Sequence, residues 1–278
     1  MANKSKEIID LENRIRSPKH DNFRIVALLM LRKTPEEMEH IRNSVSPIFR
    51  GLLSMSYLKR NKIEDVLQNG YYVEKETPEL YGLILYLFKY HYSLLNKYVA
   101  LRDRSYDLYL KGKNEEALSL LDEIDKLSHS MWSERFRMAI LKSMQDEGRF
   151  LRYYRSLMDK NLSPKLRYLL RYTNNSQTFN TKDNEANEKN AYEMLTTGID
   201  NKQLRDFYLS YCCPFYKLET ENWLSVSLNS SIIDIYECML VNLRHLTEET
   251  INNSQFREYI SQINKVSEVQ RFRNLSVF

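Results

Sequence analysis

The residues best suited to binding chemistry are concentrated in residues 131–172, called the basic segment below. It holds ten basic and four acidic residues, a net charge of +6 in a chain whose total is +4. Nine of its basic residues form the predicted binding site: Arg135, Arg137, Lys142, Arg149, Arg152, Arg155, Lys165, Arg167 and Arg171. Seven aromatic residues lie among them: Trp132, Phe136, Phe150, Tyr153, Tyr154, Tyr168 and Tyr172. Because basic side chains neutralise phosphates and aromatic rings stack on bases, this mixture is typical of nucleic-acid-binding segments.

A second interpretation of the same segment is structural. Arg149, Arg152 and Arg155 recur every three residues, which places them along one side of a helix. On the opposite side, an apolar stripe would enter the core while the arginine stems cover apolar surface. The members of that stripe are Phe150, Tyr153, Tyr154 and Leu157. A positive face of either kind needs a counterpart, which could be an acidic protein as well as nucleic acid.

Motifs for catalysis or for cofactors are missing from the sequence. The six glycines lie too far apart to form the phosphate-binding loops of common dinucleotide or P-loop proteins. The five histidines show no HExxH or paired metal-ligand spacing, so we assign no metal ligand and expect no cofactor. We therefore predict that the protein is not an enzyme. An active site assembled from residues far apart in the sequence is the alternative that this search leaves open.

Two smaller groups of polar residues suggest chemistry and have a simpler interpretation. Arg14 and His20 are spaced like the arginine–histidine motif of some helical ribonucleases, in which the imidazole is the acid–base group. Pro18 lies between them and should end the helix that would present both side chains, which favours a polar chain terminus. The adjacent acidic pairs 115–116 and 122–123 point in different directions on a helix and indicate a solvated face.

Helix-capping motifs and composition predict an all-α fold, either a helical bundle or a short repeat-like α-solenoid with a C-terminal helical lobe. Residues 34–37, Thr-Pro-Glu-Glu, combine an N-cap hydroxyl, a proline at the first helical position and a capping-box glutamate. Thr77-Pro78 and Ser163-Pro164 repeat part of this pattern. Only six glycines and six prolines occur in 278 residues, which argues against folds rich in turns. The apolar run 23–31 predicts a buried helix.

The cellular setting is predicted from segments that the chain lacks. Acidic residues near the start exclude a secretory signal, and no apolar run reaches the twenty residues that a membrane span requires. Cys212, Cys213 and Cys238 have no CxxC spacing and lie in apolar surroundings, which favours reduced thiols. We expect a cytoplasmic protein without a membrane partner.

Three parts of the chain differ in composition. Residues 1–172 form the predicted N-terminal helical body. Residues 173–190 are rich in polar side chains, with a single large apolar residue, and are predicted to be a flexible linker or loop. Residues 191–278 form the predicted C-terminal helical lobe, in which segment 223–228 alternates enough to leave a strand as the alternative.

Residues 105–127, SYDLYLKGKNEEALSLLDEIDKL, resemble the tetratricopeptide repeat, a helix-turn-helix unit of about 34 residues. Gly112 matches the small residue at the turn, and the packing positions match Ser105, Ala117, Leu121 and Ile124. A second unit over residues 131–160 places Gly148 and Leu157 36 residues after Gly112 and Leu121. It departs from the family at Tyr153, which replaces a small residue, and at His129, where proline is common. The resemblance covers about residues 105–160 and implies helical hairpins with a concave surface for a peptide or protein.

Together these features predict a non-enzymatic helical scaffold or adaptor that binds another protein subunit through the basic segment, as part of a multi-subunit bacterial assembly. The first alternative is a DNA- or RNA-binding accessory subunit of a nucleic-acid-processing or phage-defence complex. The second alternative is a peptide receptor of the repeat type.

Overall fold

The computed structural model describes residues 6–16, 30, 32–47, 58–67, 77–176, 193, 230–244, 266 and 268–269. Within these ranges the chain forms nine α-helices and one short 3-10 helix, and no strand. The prediction of an all-α fold is confirmed for this part of the chain. No helix within it is both long enough and apolar enough to cross a membrane.

The first of two compact units comprises residues 1–57, 74–96 and 246–278. It contains α1 (Lys6–Arg16), α2 (Pro35–Ser44) and α3 (Thr77–Tyr90). The start of α2 is the predicted capping box: Thr34 Oγ1 accepts from the Glu37 amide at 3.2 Å, and the Thr34 amide donates to Glu37 Oε2 at 2.7 Å. The helix start predicted from local sequence is therefore confirmed.

The second unit comprises residues 58–73 and 97–245. Its helices are α4 (Tyr92–Leu110, of which residues 97–110 belong to this unit), the 3-10 helix Ile63–Asp65, α5 (Asn114–Leu127), α6 (Met131–Ser143), α7 (Glu147–Met158), α8 (Pro164–Ser176) and α9 (Ile232–Arg244). Their inward faces carry fully buried aliphatic and aromatic side chains, including Tyr98, Leu121, Ile140, Leu169 and Tyr236. This unit contains the whole basic segment.

Helix ends in the second unit recur at a fixed interval. Helices α4, α6 and α8 end at residues 110, 143 and 176, each 33 residues after the last, and α5 and α7 begin at 114 and 147, again 33 residues apart. The N-caps of α6 and α8 are Ser130 and Ser163, whose hydroxyls accept from the amides of Ser133 and Leu166. Short helices with identical caps at the same interval give this unit a regular order of elements.

The turn that precedes α7 differs from the one predicted. The predicted interval of 36 residues between equivalent positions, with Gly148 at the turn, is wrong. Gly148 is the second residue of α7, and Gln145 supplies the left-handed backbone, with φ 59° beside 74° at Gly112. Glycine adopts this conformation without strain, whereas a residue with a Cβ pays about 1 kcal/mol. The position is set by the helix lengths on either side, since α6 has already ended at Ser143.

Helix α9 packs on α6 although about ninety residues separate them in the sequence. The buried carboxylate of Asp234 accepts from the backbone amides of Met131 and Trp132, both at 3.0 Å. It thereby satisfies two of the amides that every helix start leaves unpaired, and its charge suits the positive end of the helix dipole. The hydroxyls of Ser128 and Ser231 are also hydrogen-bonded, 2.8 Å apart, beside this contact.

The compact units divide the chain differently from the predicted domains. Helix α9 lies in the same unit as residues 97–176, and residues 246–278 group with the N-terminal residues. The first four residues of the predicted linker, 173–176, complete α8, and the buried Thr173 hydroxyl donates to the Leu169 carbonyl at 2.9 Å. Residues 177–190, the run 23–29 and segment 223–228 lie outside the described residues, so those predictions stay predictions.

Candidate functional site

The basic segment is distributed over α6, α7 and α8, and these helices give its cations very different surroundings. Two arginines form ion pairs with α5. Arg137 is buried and donates to Asp122 Oδ1 at 2.8 Å and to Asp125 Oδ2 at 2.6 Å. Arg149 donates to both carboxylate oxygens of Glu115, with 3.0 Å between Nη2 and Oε2. These two side chains fasten α6 and α7 to α5, so their charges are matched within the protein.

Two further cations hold backbone carbonyls at helix ends. Lys142 donates to the Asn174 carbonyl, and its ammonium nitrogen lies 5.0 Å from the centre of the Phe150 ring. Burial lowers the pKa of this lysine. Arg167 donates to the carbonyls of Met158 at 2.7 Å and Lys160 at 3.2 Å, which caps the end of α7. Both cations therefore contribute to helix packing.

The remaining members of the predicted site are more accessible. Arg152, Arg155 and Arg171 are exposed, and Arg135 and Lys165 are half-buried. Arg152 and Arg155 form no ion pair with any described residue. Leu151, which precedes them on α7, is 39% exposed and is one of few large apolar side chains on the described surface. We call Leu151, Arg152 and Arg155 the outer face of α7.

The aromatic residues of the basic segment mostly belong to the core. Four of the seven rings are buried, namely Trp132, Phe136, Phe150 and Tyr172. Phe150 stacks on Tyr154 with 6.0 Å between ring centres, and Leu157 is buried beside them on the same helix. Phe150 and Leu157 are thus placed as the apolar-stripe interpretation of α7 predicts. Side chains committed to the core in this way offer little surface for base stacking.

A polar group that the sequence did not indicate lies where α5 ends and α6 begins. Its members are Asp125, His129 and Glu134, called the Asp–His–Glu cluster below; one potential ligand atom from each lies within 4.8 Å of the others. Ser133 donates to Asp125 Oδ1 at 2.6 Å, and the Tyr153 hydroxyl donates to Glu134 Oε2. The cluster could not be found by motif, because its residues follow no metal-ligand spacing and its supporting hydroxyl comes from α7.

Burial sets the protonation behaviour of this cluster. Burial, followed by the negative charge of Asp125, raises the pKa of Glu134 to about 7, against the opposing effects of the Tyr153 hydrogen bond and of Arg137. Burial also lowers the pKa of His129, which outweighs the attraction of Asp125. Both side chains are thereby biased toward their neutral forms near neutral pH.

A second polar network joins α4 to α9. Arg102 is buried and forms an ion pair with Glu237, which also accepts from the buried Tyr98 hydroxyl at 2.8 Å. Arg102 reaches Asp103 as well, through Nε at 3.1 Å and Nη2 at 2.9 Å. The sequence gave no hint of this network, since its members lie up to 139 residues apart.

The other residues singled out in the sequence have less specific positions. Arg14 lies in α1, but its side chain and the whole of His20 lie outside the described residues. The acidic pairs 115–116 and 122–123 are exposed on α5, as predicted for a solvated face, and Glu115 and Asp122 form the ion pairs with Arg149 and Arg137 given above. Cys238 is buried in α9, and Cys212 and Cys213 lie outside the described residues.

Neither fold nor site is supported by resemblance to a characterised protein. Comparison of the chain with protein-family models, with curated proteins and with solved structures finds no match.

Proposed function

We propose that the protein is a non-enzymatic helical scaffold whose outer face of α7 binds an acidic, partly apolar segment of a partner protein. The observation that carries this proposal is the exposure of Leu151 next to two arginines that pair with no described residue. An exposed leucine flanked by cations matches a partner that offers both an apolar side chain and carboxylates.

A repeat-like arrangement supports the scaffold role. Helix boundaries recur every 33 residues, close to the repeat length of the tetratricopeptide family that residues 105–127 resemble. The positions that match the family's packing residues, Ser105, Ala117, Leu121 and Ile124, are all fully buried. We infer that α4–α5 and α6–α7 are successive helical hairpins and that α8 begins a third. Stacked hairpins of this kind present extended surfaces suited to protein partners.

The distribution of charge favours a protein partner over nucleic acid. Four of the nine predicted binding cations already hold acidic side chains or backbone carbonyls, namely Arg137, Lys142, Arg149 and Arg167. Three fully exposed arginines would release few counterions from DNA or RNA, which corresponds to a salt slope of at most about 3. Leu151 would also gain nothing from a phosphate backbone, whereas an apolar side chain of a protein would cover it.

The outer face can be tested with direct binding probes. The first is a fluorescent peptide that alternates glutamate and leucine, the second a leucine-free glutamate peptide, and the third a mixed-sequence single-stranded oligonucleotide. We expect the first peptide to bind more tightly than the other two. The double variant Arg152→Glu/Arg155→Glu should weaken its binding by at least about tenfold, because two attractive charges become repulsive. Leu151→Ala should weaken it by a smaller factor. Arg149 is left unchanged because it fastens α7 to α5.

Lys111→Glu/Lys113→Glu is the matched control. Both lysines are exposed on the turn between α4 and α5, and the substitution alters the net charge by the same amount. Equal losses in the two double variants would mean that total charge, and not the outer face of α7, controls binding. Tighter binding of the oligonucleotide than of the peptide, lost in the α7 variant alone, would establish the nucleic-acid alternative instead. Circular dichroism should show unchanged helix content in both variants.

A further inference from the structure

The Asp–His–Glu cluster has an arrangement of atoms that its hydrogen bonds do not fully use. His129 Nδ1 lies 3.7 Å from Asp125 Oδ1, too far for a hydrogen bond. This nitrogen is buried and forms no hydrogen bond with any described residue. Glu64 Oε2 is buried without a partner in the same sense, and Glu64 lies near enough to His129 to act on its charge. Buried polar atoms normally have partners, so two such atoms near one imidazole need an explanation.

The neighbours of the cluster hold its carboxylates in place from behind. Arg137 occupies Asp125 Oδ2 at 2.6 Å, and Ser133 donates to Oδ1 at 2.6 Å. The Tyr153 hydroxyl occupies Glu134 Oε2. Metal ligands in proteins are commonly oriented by such outer hydrogen bonds. Each carboxylate is therefore fixed while retaining lone pairs for a further contact.

We propose that Asp125, His129 and Glu134 bind one divalent transition-metal ion, with zinc the best match to the donor set. One imidazole nitrogen and two carboxylate oxygens form a mixed set that zinc accepts readily, whereas magnesium and calcium prefer oxygen donors alone. Water or Glu64 would complete the coordination. The ion would also give His129 Nδ1 the partner that it lacks.

Positive groups near the cluster do not exclude a cation. Arg137 is shared between Asp125 and Asp122, so two carboxylates match its one charge. Lys160 acts on both His129 and Glu134 through its charge, and Glu64 acts on His129 with the opposite sign. Four carboxylates, counting Asp122 and Glu64, thus face two cations. A bound ion would tie the end of α5 to the start of α6, which is the junction between the two proposed hairpins.

The direct test is zinc binding to metal-free protein, measured by calorimetry and by the shift in melting temperature. We expect one ion to bind per chain at this cluster and to raise the melting temperature. His129→Ala should weaken binding at this site by at least about tenfold, because a ligand is removed. His40→Ala is the control, since His40 is an exposed imidazole on α2, and it should leave binding unchanged. Equal zinc affinity in wild type and in a folded His129→Ala variant would overturn the proposal.

Spectroscopy of wild-type protein provides a test that needs no variant to fold. Copper(II) added in equimolar amount should give an electron paramagnetic resonance signal with coupling to one imidazole nitrogen. Cobalt(II) should give visible bands without the intense sulfur-to-metal absorption that thiolate ligands produce. Strong sulfur absorption would place the ion at cysteines, and the absence of nitrogen coupling would exclude His129. Either result would refute this site while leaving the proposed role of the outer face of α7 unaffected.

Discussion

The buried ion pair between α4 and α9 allows a quantitative test of what holds the second unit together. The side chains of Arg102 and Glu237 are only 3% and 10% exposed. Removing one partner of such a pair costs about 3–5 kcal/mol, because the other charge stays buried without compensation. Glu237→Gln should cost about 3 kcal/mol, at the lower end of that range, since Arg102 keeps its hydrogen bonds to Asp103. Arg102→Met should cost more, because Glu237 would then keep only the Tyr98 hydroxyl among the contacts given above.

The assay is urea unfolding followed by circular dichroism. With a slope of about 2 kcal/mol per molar urea, a loss of 3 kcal/mol lowers the midpoint by about 1.5 M. The double variant Arg102→Met/Glu237→Leu should recover most of the loss, since apolar residues often replace a buried pair without penalty. Lys111→Met is the control: its partner Asp107 lies 2.7 Å away, but the two side chains are 61% and 57% exposed, so the cost should be about 0.5 kcal/mol or less. Similar losses for Glu237→Gln and Lys111→Met would refute the reasoning that burial gives the α4–α9 pair its weight.

Two further predictions concern single positions. Gln145→Gly should stabilise the protein by about 0.5–1 kcal/mol, because glycine adopts a φ of 59° without strain; an unchanged or lower urea midpoint would contradict this. His91 is largely buried, its Nε2 forms no hydrogen bond with any described residue, and burial lowers its pKa to about 4. The unfolded chain, with a pKa near 6.5, therefore takes up this proton first as the pH falls, so stability should drop by on the order of 2 kcal/mol between pH 7.5 and pH 5. His91→Phe should remove that part of the pH dependence, and an identical pH profile in wild type and variant would show that His91 does not cause it.

Local features of the fold could be read from the sequence because they depend on neighbouring residues. The start of α2 follows from a hydroxyl, a proline and a glutamate within four positions, and the start of α8 follows from Ser163 and Pro164. The all-α class follows from the scarcity of turn-forming residues. The burial of Phe150 and Leu157 follows from helical periodicity.

The features that could not be predicted depend on distances between separate helices. No sequence pattern indicates that Arg149 meets Glu115, or that Arg137 is shared by two aspartates of α5. The arginines of the basic segment therefore looked equivalent, although some are paired and others are exposed. Gln145 was missed for another reason: its left-handed backbone is imposed by the helices on both sides and not by its own preference.

The contact that Asp234 makes with the start of α6 has a consequence for how the chain is made. The amides of Met131 and Trp132 wait for a carboxylate that lies more than one hundred residues further along. During synthesis at about 5–20 residues per second, several seconds pass between the appearance of α6 and that of α9. Through that interval the start of α6 and its apolar neighbours lack their native cover, which is the period when a nascent chain is most prone to aggregate. Completion of the second unit is thus delayed until the ribosome has passed α9.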